Sequence, residues 1–224
     1  MTFKNKLGIS QIAGVFVGLL CALMGNAGVI LSPTGVVNNS LGNHPLIPTN
    51  SIDFTHDGSG LTAFASGVTD FSTYIATNPT HAEFAISNAW ASAEGVARGT
   101  IDYDLGGVYS IARLALWNQD DGLLQGVGSF DIFTATDSKF LTGINVGSFT
   151  ATDTSRAAQI FVLSISEGQY LRLQINSNNG SECCTTIGEL AFDVSTTNAV
   201  PEPSILAILA LGLTILARRV DRGS

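Results

Sequence analysis

The sequence predicts an all-β fold, an antiparallel sandwich or barrel, from three observations. Hydrophobicity in the middle of the chain alternates with a period of two rather than 3.6. The apolar runs are short and bounded by Gly, Asn, Ser or Asp, and helical patterning is almost absent. No internal repeat suggests a propeller or solenoid.

In chain order, Lys4 and Lys6 precede the apolar run "IAGVFVGLLCALMG", and Gly25, Asn26 and Ala27 supply the small residues of a cleavage site. Residues 1–27 therefore read as a secretory signal peptide rather than as structure. The Gly-Leu-Leu before Cys21 lacks the small residues that a lipoprotein site places there.

The strands follow. "TIDYDLG" sets Ile101, Tyr103 and Leu105 against Asp102 and Asp104, the pattern of a strand with one wet face. "YSIARLALWN" alternates Ile111, Arg113, Ala115 and Trp117 against Ala112, Leu114 and Leu116. After a Gly-rich connection come "SFDIFTATD", "AQIFVLSIS", "QYLRLQINS" and "IGELAFDV" as separate short strands.

The delivered domain is expected to span 28–198, enough for one domain with a sizeable core. With the charges of both ends set aside, 16 carboxylates face 5 Lys and Arg, a net charge of −11. Such a domain does not bind nucleic acid or other polyanions by charge, but it admits neutral sugars and divalent cations.

The last segment, 199–224, has three parts. Pro201 and Pro203 stop any helix from running through. An apolar helix over 204–217 follows, roughly 21 Å long at 1.5 Å per residue. Arg218, Arg219 and Arg222 close the chain. The helix is short for a bilayer core of about 30 Å, so it either snorkels its arginines and thins the bilayer or is held there only briefly. Positive charge at both ends keeps both ends cytoplasmic.

Pro201, Glu202 and Pro203, the short transmembrane helix, and Arg218 with Arg219 together resemble the PEP-CTERM sorting signal of Gram-negative bacteria. The resemblance implies an exosortase as partner, membrane anchoring only before processing, and delivery to the cell envelope or extracellular surface of an exopolysaccharide-producing bacterium. A hydrophobic tail that is recognised and removed parallels a GPI signal.

Residues 99–194 resemble the discoidin, or coagulation-factor C-type, domain, a galactose-binding-like jelly-roll β-sandwich. The likeness lies in the order of "IDYDLGGVYSIARLALWN", "GSFDIFTATD", "GQYLRLQINSNNG" and "IGELAFDV", with Asp104, Leu105, Gly106, Tyr170, Leu171, Arg172, Glu189 and Leu190 at the matching places. Upstream, "AISNAWAS" puts Asn88 and Trp90 where the family has Asp-Gly and a Trp. The resemblance implies a structural Ca²⁺ with Glu189 and Asn88 as side-chain ligands. The alternative for Glu189 is to face water or to pair with Arg172. Calcium takes six to eight oxygens, many from loop carbonyls. The Asn118–Gly122 loop "NQDDG" lacks the spacing of an EF-hand and reads as a solvated turn.

Sugar sites stack rings on flat side chains, and Trp117, beside the polar loop at Asn118, is the expected ligand-binding residue. Trp90 is expected in the core. Phe71 and Tyr74 fit either a loop lining or the core. Cys183 and Cys184 are adjacent, which allows a vicinal disulfide, a link to another chain or two thiols. His44, His56 and His81 show no ligand spacing.

No G-x-S-x-G, H-E-x-x-H or phosphate-binding loop is present, so no catalytic residue is assigned and the chain is not expected to be an enzyme. Two functions fit: a carbohydrate-binding module that holds exopolysaccharide, or a purely structural matrix or biofilm protein without specific ligand.

Overall fold

The computed structural model describes residues 28–196, apart from 48, 84, 86 and 119–121. The expected signal peptide, the sorting residues Pro201, Glu202, Pro203, Arg218 and Arg219, the 204–217 helix, and Asp120 with Asp121 lie outside the described residues.

The alternating segments build an antiparallel β-sandwich around two long strands, β4 (Gly99–Trp117) and β7 (Gln159–Ile175). Around them lie β1 (Val29–Leu31), β2 (Gly35–Asn39), β5 (Ser129–Ala135), β6 (Ile144–Thr150) and β9 (Glu189–Thr196). Their order is β1-β9-β4-β7-β5-β6, with β2 also on β4. A two-stranded ribbon joins β3 (Trp90–Ala91) to β8 (Thr186–Ile187).

The sequence pattern divides β4 and β7 each into two strands, and the structure corrects this. "TIDYDLG" and "YSIARLALWN" run on as one strand because Gly106, at φ +77°, takes up an irregularity in the pairing rather than a turn. The first half of β4 pairs β2 and the second half β9, while β7 accompanies it throughout. A second register shift, between Ile111 and Arg113, changes which side chains face which way. Ile111, Leu114 and Leu116 consequently share the main core with Ile101, Tyr103 and Leu105. Ala115 and Trp117 face the other side.

That other side is covered by a short helix, α1 (Phe71–Ala76), which the period-two pattern does not predict. Asp70 caps it, its carboxylate accepting the Thr73 N–H at 2.7 Å. Phe71 and Tyr74 pack with Ile30, Ala115, Trp117 and Ala191 in a second apolar cluster. Arg113 locks the helix onto the sheet: it pairs with Asp193 at 2.6 Å, donates to Ser72 Oγ at 2.9 Å, and lies over the Phe71 ring.

Asp102 is a further correction. Expected on a wet face, it is 2% exposed and held by Arg172 through two parallel bonds, Nε to Oδ1 at 2.7 Å and Nη2 to Oδ2 at 2.9 Å.

Candidate functional site around Glu189

Glu189 opens β9 directly opposite Trp117 at the end of β4, so a carboxylate is carried to the end of the sandwich where the loops gather. It has no exposed surface. Its Oε2 accepts the Gly58 N–H at 2.9 Å, and its Oε1 has no hydrogen-bond partner among the described residues. Burial pushes its pKa up to about 9, and the charge of Asp57 adds to the rise. The Gly58 and Leu190 N–H groups act in the opposite direction.

The loop that meets it is built locally. Residues Ile52–Thr55 form a 3₁₀ turn, and the Ser51 hydroxyl before it accepts the Asp53 N–H. Thr55 accepts the Tyr103 hydroxyl at 3.1 Å, which ties the turn to the core of β4. The chain then turns through Gly58, at φ +81°, the conformation that lets its N–H face Glu189. At Gly60, φ +83°, a Cβ would meet the His81 ring at 2.6 Å, so the loop closes over a buried imidazole only because no side chain stands there.

His81 holds the loop from below. Its Nδ1 lies 2.8 Å from the Ala82 carbonyl and its Nε2 2.9 Å from the Ser59 carbonyl. Burial lowers its pKa, although the two carbonyls oppose that. The neutral ring has one N–H and serves one carbonyl at a time.

Between this loop and the Ser32–Thr34 connection lies a pocket of about 390 Å³. Its lining combines the hydroxyls of Ser32, Thr34, Thr62 and Ser66 with His56, Asp57 and the ring of Phe64. Phe64 is set by Tyr74, their centroids 4.9 Å apart, and Tyr74 donates to the Thr62 carbonyl at 2.9 Å. Burial lowers the pKa of His56, against the raising effect of Asp53 and Asp57, so the imidazole is neutral near pH 7.

The sequence-predicted residues do not all meet here. Asn88 spends its amide on its own turn, accepting the Ala85 N–H at 2.8 Å and donating to the Glu83 carbonyl at 2.9 Å. The Asp-Gly pair placed against Glu189 is Asp57–Gly58 instead. Trp117 is 0% exposed, and its indole N–H donates to the Pro79 carbonyl at 2.9 Å; it packs under α1 and offers no face for stacking. Trp90 is equally buried, its N–H on Asn43. Arg172 pairs with Asp102, and among the described residues Glu189 has no cationic partner.

The sequence did hold one signal for the loop, the turn-forming run Asp57-Gly58-Ser59-Gly60. It held none for His44, whose imidazole the fold brings beside Cys183 and Cys184 from 139 residues away.

A buried carboxylate with one oxygen unserved, under the field of a second carboxylate, is the donor chemistry that a hard cation satisfies. Glu189, with Asp57 nearby in charge, carries that chemistry, while the Asn88 amide is taken up by its own turn.

No family model and no curated protein matches the chain. Solved structures do. The C-terminal domain of a chitobiase from Bacteroides fragilis is 18% identical over 75% of this chain and 99% of that one, with a TM-score of 0.55. The fold is the galactose-binding-like β-sandwich. A CBM32 domain of AlyQ, solved with 4,5-unsaturated mannuronic acid, is 15% identical over 73% of this chain and 96% of that one, at a TM-score of 0.48. A CBM32 module from Clostridium perfringens, solved with GalNAc-β-1,3-galactose, is 13% identical over 68% and 90%, also at 0.48.

Proposed function

We propose that the chain is an exported, non-catalytic carbohydrate-binding module, spanning 28–198, that holds exopolysaccharide at the cell surface and carries Ca²⁺ as a structural ion. The observation that supports this most is the pocket of about 390 Å³, in which hydroxyls, a neutral imidazole and a carboxylate stand beside an aromatic ring. Those are the groups a neutral sugar needs: acceptors and donors for its hydroxyls, and a flat apolar face for its ring. The galactose-binding-like fold is consistent with it.

The calcium ion belongs to the same reading. Glu189 reaches the pocket loop through the Gly58 N–H, so a cation held by Glu189 and Asp57 would fix the loop that presents His56 and Phe64. Delivery rests on the signal peptide and on the Pro-Glu-Pro tail read by an exosortase. Mass spectrometry of the native protein checks it: a C-terminus still at Ser224 counts against processing, and Arg218→Ala with Arg219→Ala should leave more precursor.

The binding reading is tested by presenting the purified chain to a glycan array and to insoluble polysaccharides. We expect retention on neutral glycans that Phe64→Ala and Asp57→Asn weaken. Absence of retention on every glycan would leave a matrix scaffold in its place.

A further inference from the structure

We infer that His44, Cys183 and Cys184 form a binding site for a thiophilic d¹⁰ cation of the Zn²⁺ class, separate from the loop pocket and from Glu189. The Sγ of Cys183 lies 3.8 Å from His44 Nε2 and 2.6 Å from the Sγ of Cys184. One donor atom from each of the three falls within 4.8 Å of the others.

The backbone that carries the three donors is held independently of their own side chains. His44 donates its N–H to the Ala91 carbonyl of β3 at 3.0 Å. On the other arm, Cys184 pairs with Val96 in a parallel bridge, and its carbonyl accepts Asn178 Nδ2 at 3.0 Å. Thr185 donates to Ser92 Oγ at 2.8 Å, and Thr186 pairs with Ala91. Both arms are thus pinned to one ribbon, which brings the three donors together before any ion arrives.

The donor types select the ion. Two thiolates and an imidazole suit a borderline-soft cation, whereas calcium and magnesium take oxygens. At a metal–sulfur distance of about 2.3 Å, two ligands of a tetrahedral centre stand about 3.7 Å apart. The Cys183–His44 edge already has that length, and the Cys184 sulfur need swing by only about 1 Å. A cavity of about 420 Å³, lined by Glu83 and Gln125 as well as by the three donors, leaves room for a fourth ligand. Binding forms two metal–sulfur bonds and one metal–nitrogen bond and breaks two S–H bonds, whose protons pass to solvent, with no change of oxidation state. A metal at Nε2 requires the proton on Nδ1, so the contact that Nδ1 makes with the Leu46 N–H, long at 3.4 Å, is given up.

The test uses the full chain with Cys21→Ser, so that Cys183 and Cys184 are its only thiols. The protein is reduced with a phosphine, freed of reductant and metal, and titrated with Cd²⁺ under nitrogen. We expect an ultraviolet thiolate-to-metal band that saturates at one Cd²⁺ per chain and is displaced by Zn²⁺. Both cysteines should become protected from alkylation in peptide mass spectra. His44→Ala should weaken Cd²⁺ binding by at least about tenfold, the loss that even outer partners of a bound metal produce. Thiols that alkylate equally fast with and without Cd²⁺ would overturn the site, as would a band that never saturates. An unchanged affinity in folded His44→Ala would overturn it too. The protection measurement needs no variant at His44 and decides the matter even where that variant does not fold.

Discussion

The Oε2 of Glu189 accepts the backbone N–H of Gly58 at 2.9 Å across 131 residues of chain, and this one bond joins the closing strand of the sandwich to the loop that lines its pocket. Its partner oxygen has no hydrogen bond among the described residues, and the group is fully buried. Leaving a charged oxygen in that state is costly, so the uncharged acid and the cation-bound carboxylate are the two forms in which the site is at ease.

Calcium should therefore stabilise the wild-type chain and not Glu189→Gln. At about 100 times its dissociation constant, an ion that binds only the folded state adds roughly 2.7 kcal/mol. For a domain of this size that is a rise of several degrees, at about 2–4 °C per kcal/mol. Gln keeps an acceptor for Gly58 and removes the charge, so the variant should melt in chelator at or above the wild-type temperature. Thermal scans with calcium and with chelator check both, and a calcium-independent wild type would remove the ion from Glu189.

In chelator, stability should fall as pH rises. The folded pKa of Glu189 is about 9 against an ordinary 4.5, so between those values the native state keeps a proton that the unfolded state has released. The stabilisation is complete below 4.5 and is lost as pH approaches 9, at up to about 1.4 kcal/mol per pH unit. Glu189→Gln should remove this slope. Urea midpoints from pH 5 to pH 9 measure it, and parallel curves for the two proteins would contradict it.

Arg172→Ala should destabilise the fold more than a surface substitution does. It strips the bidentate partner from Asp102, 2% exposed, and leaves a buried carboxylate with the Asn38 amide at 3.3 Å as its one side-chain donor among the described residues. Breaking a fully buried pair costs about 3–5 kcal/mol, and the partial exposure of Arg172 puts the expected loss below that range, at about 2–3 kcal/mol. Lysine should recover little, since it cannot make both parallel bonds. A loss below about 0.5 kcal/mol in denaturant titrations, the range of ordinary surface substitutions, would show that Asp102 finds other partners.

The alternation of Ile101, Tyr103 and Leu105 made the first half of β4 legible, because a strand with one buried face must place every second residue inward. Across the register shift the same rule misplaces one residue: alternation groups Ile111 with Ala115 and Trp117, yet it shares a cluster with Leu114 and Leu116, and a strand buried on both faces shows no wet side. That Glu189 opens the closing strand was legible through its place in the pattern. Its partner loop was not, since Asp57–Gly58 lies 131 residues away and the contact is made by a backbone N–H, which every residue but proline carries. Asp102 was misplaced for a related reason. A carboxylate in a strand reads as wet until its guanidinium is found, and Arg172 lies 70 residues further on.

Trp117 gives the sharpest contrast between a packing residue and a binding one. Position beside a polar loop suggested an exposed stacking surface, but α1 lies over the ring, with Tyr74 meeting it edge-on at a centroid distance of 6.4 Å. Trp117→Ala should cost about 3–5 kcal/mol, as expected for emptying a buried indole site. Trp117→Phe fills most of the space but leaves the Pro79 carbonyl unserved, which should cost about 1–3 kcal/mol. Below its melting temperature the Phe variant should retain wild-type glycan affinity, because the pocket is lined by Phe64 and not by Trp117. Phe64→Ala should do the reverse, with a small loss of stability and a large loss of binding. Melting curves and glycan titrations on both variants decide it. A Trp117→Phe protein with wild-type stability and no binding would restore the indole to the ligand site and displace the pocket built on Glu189 and its loop.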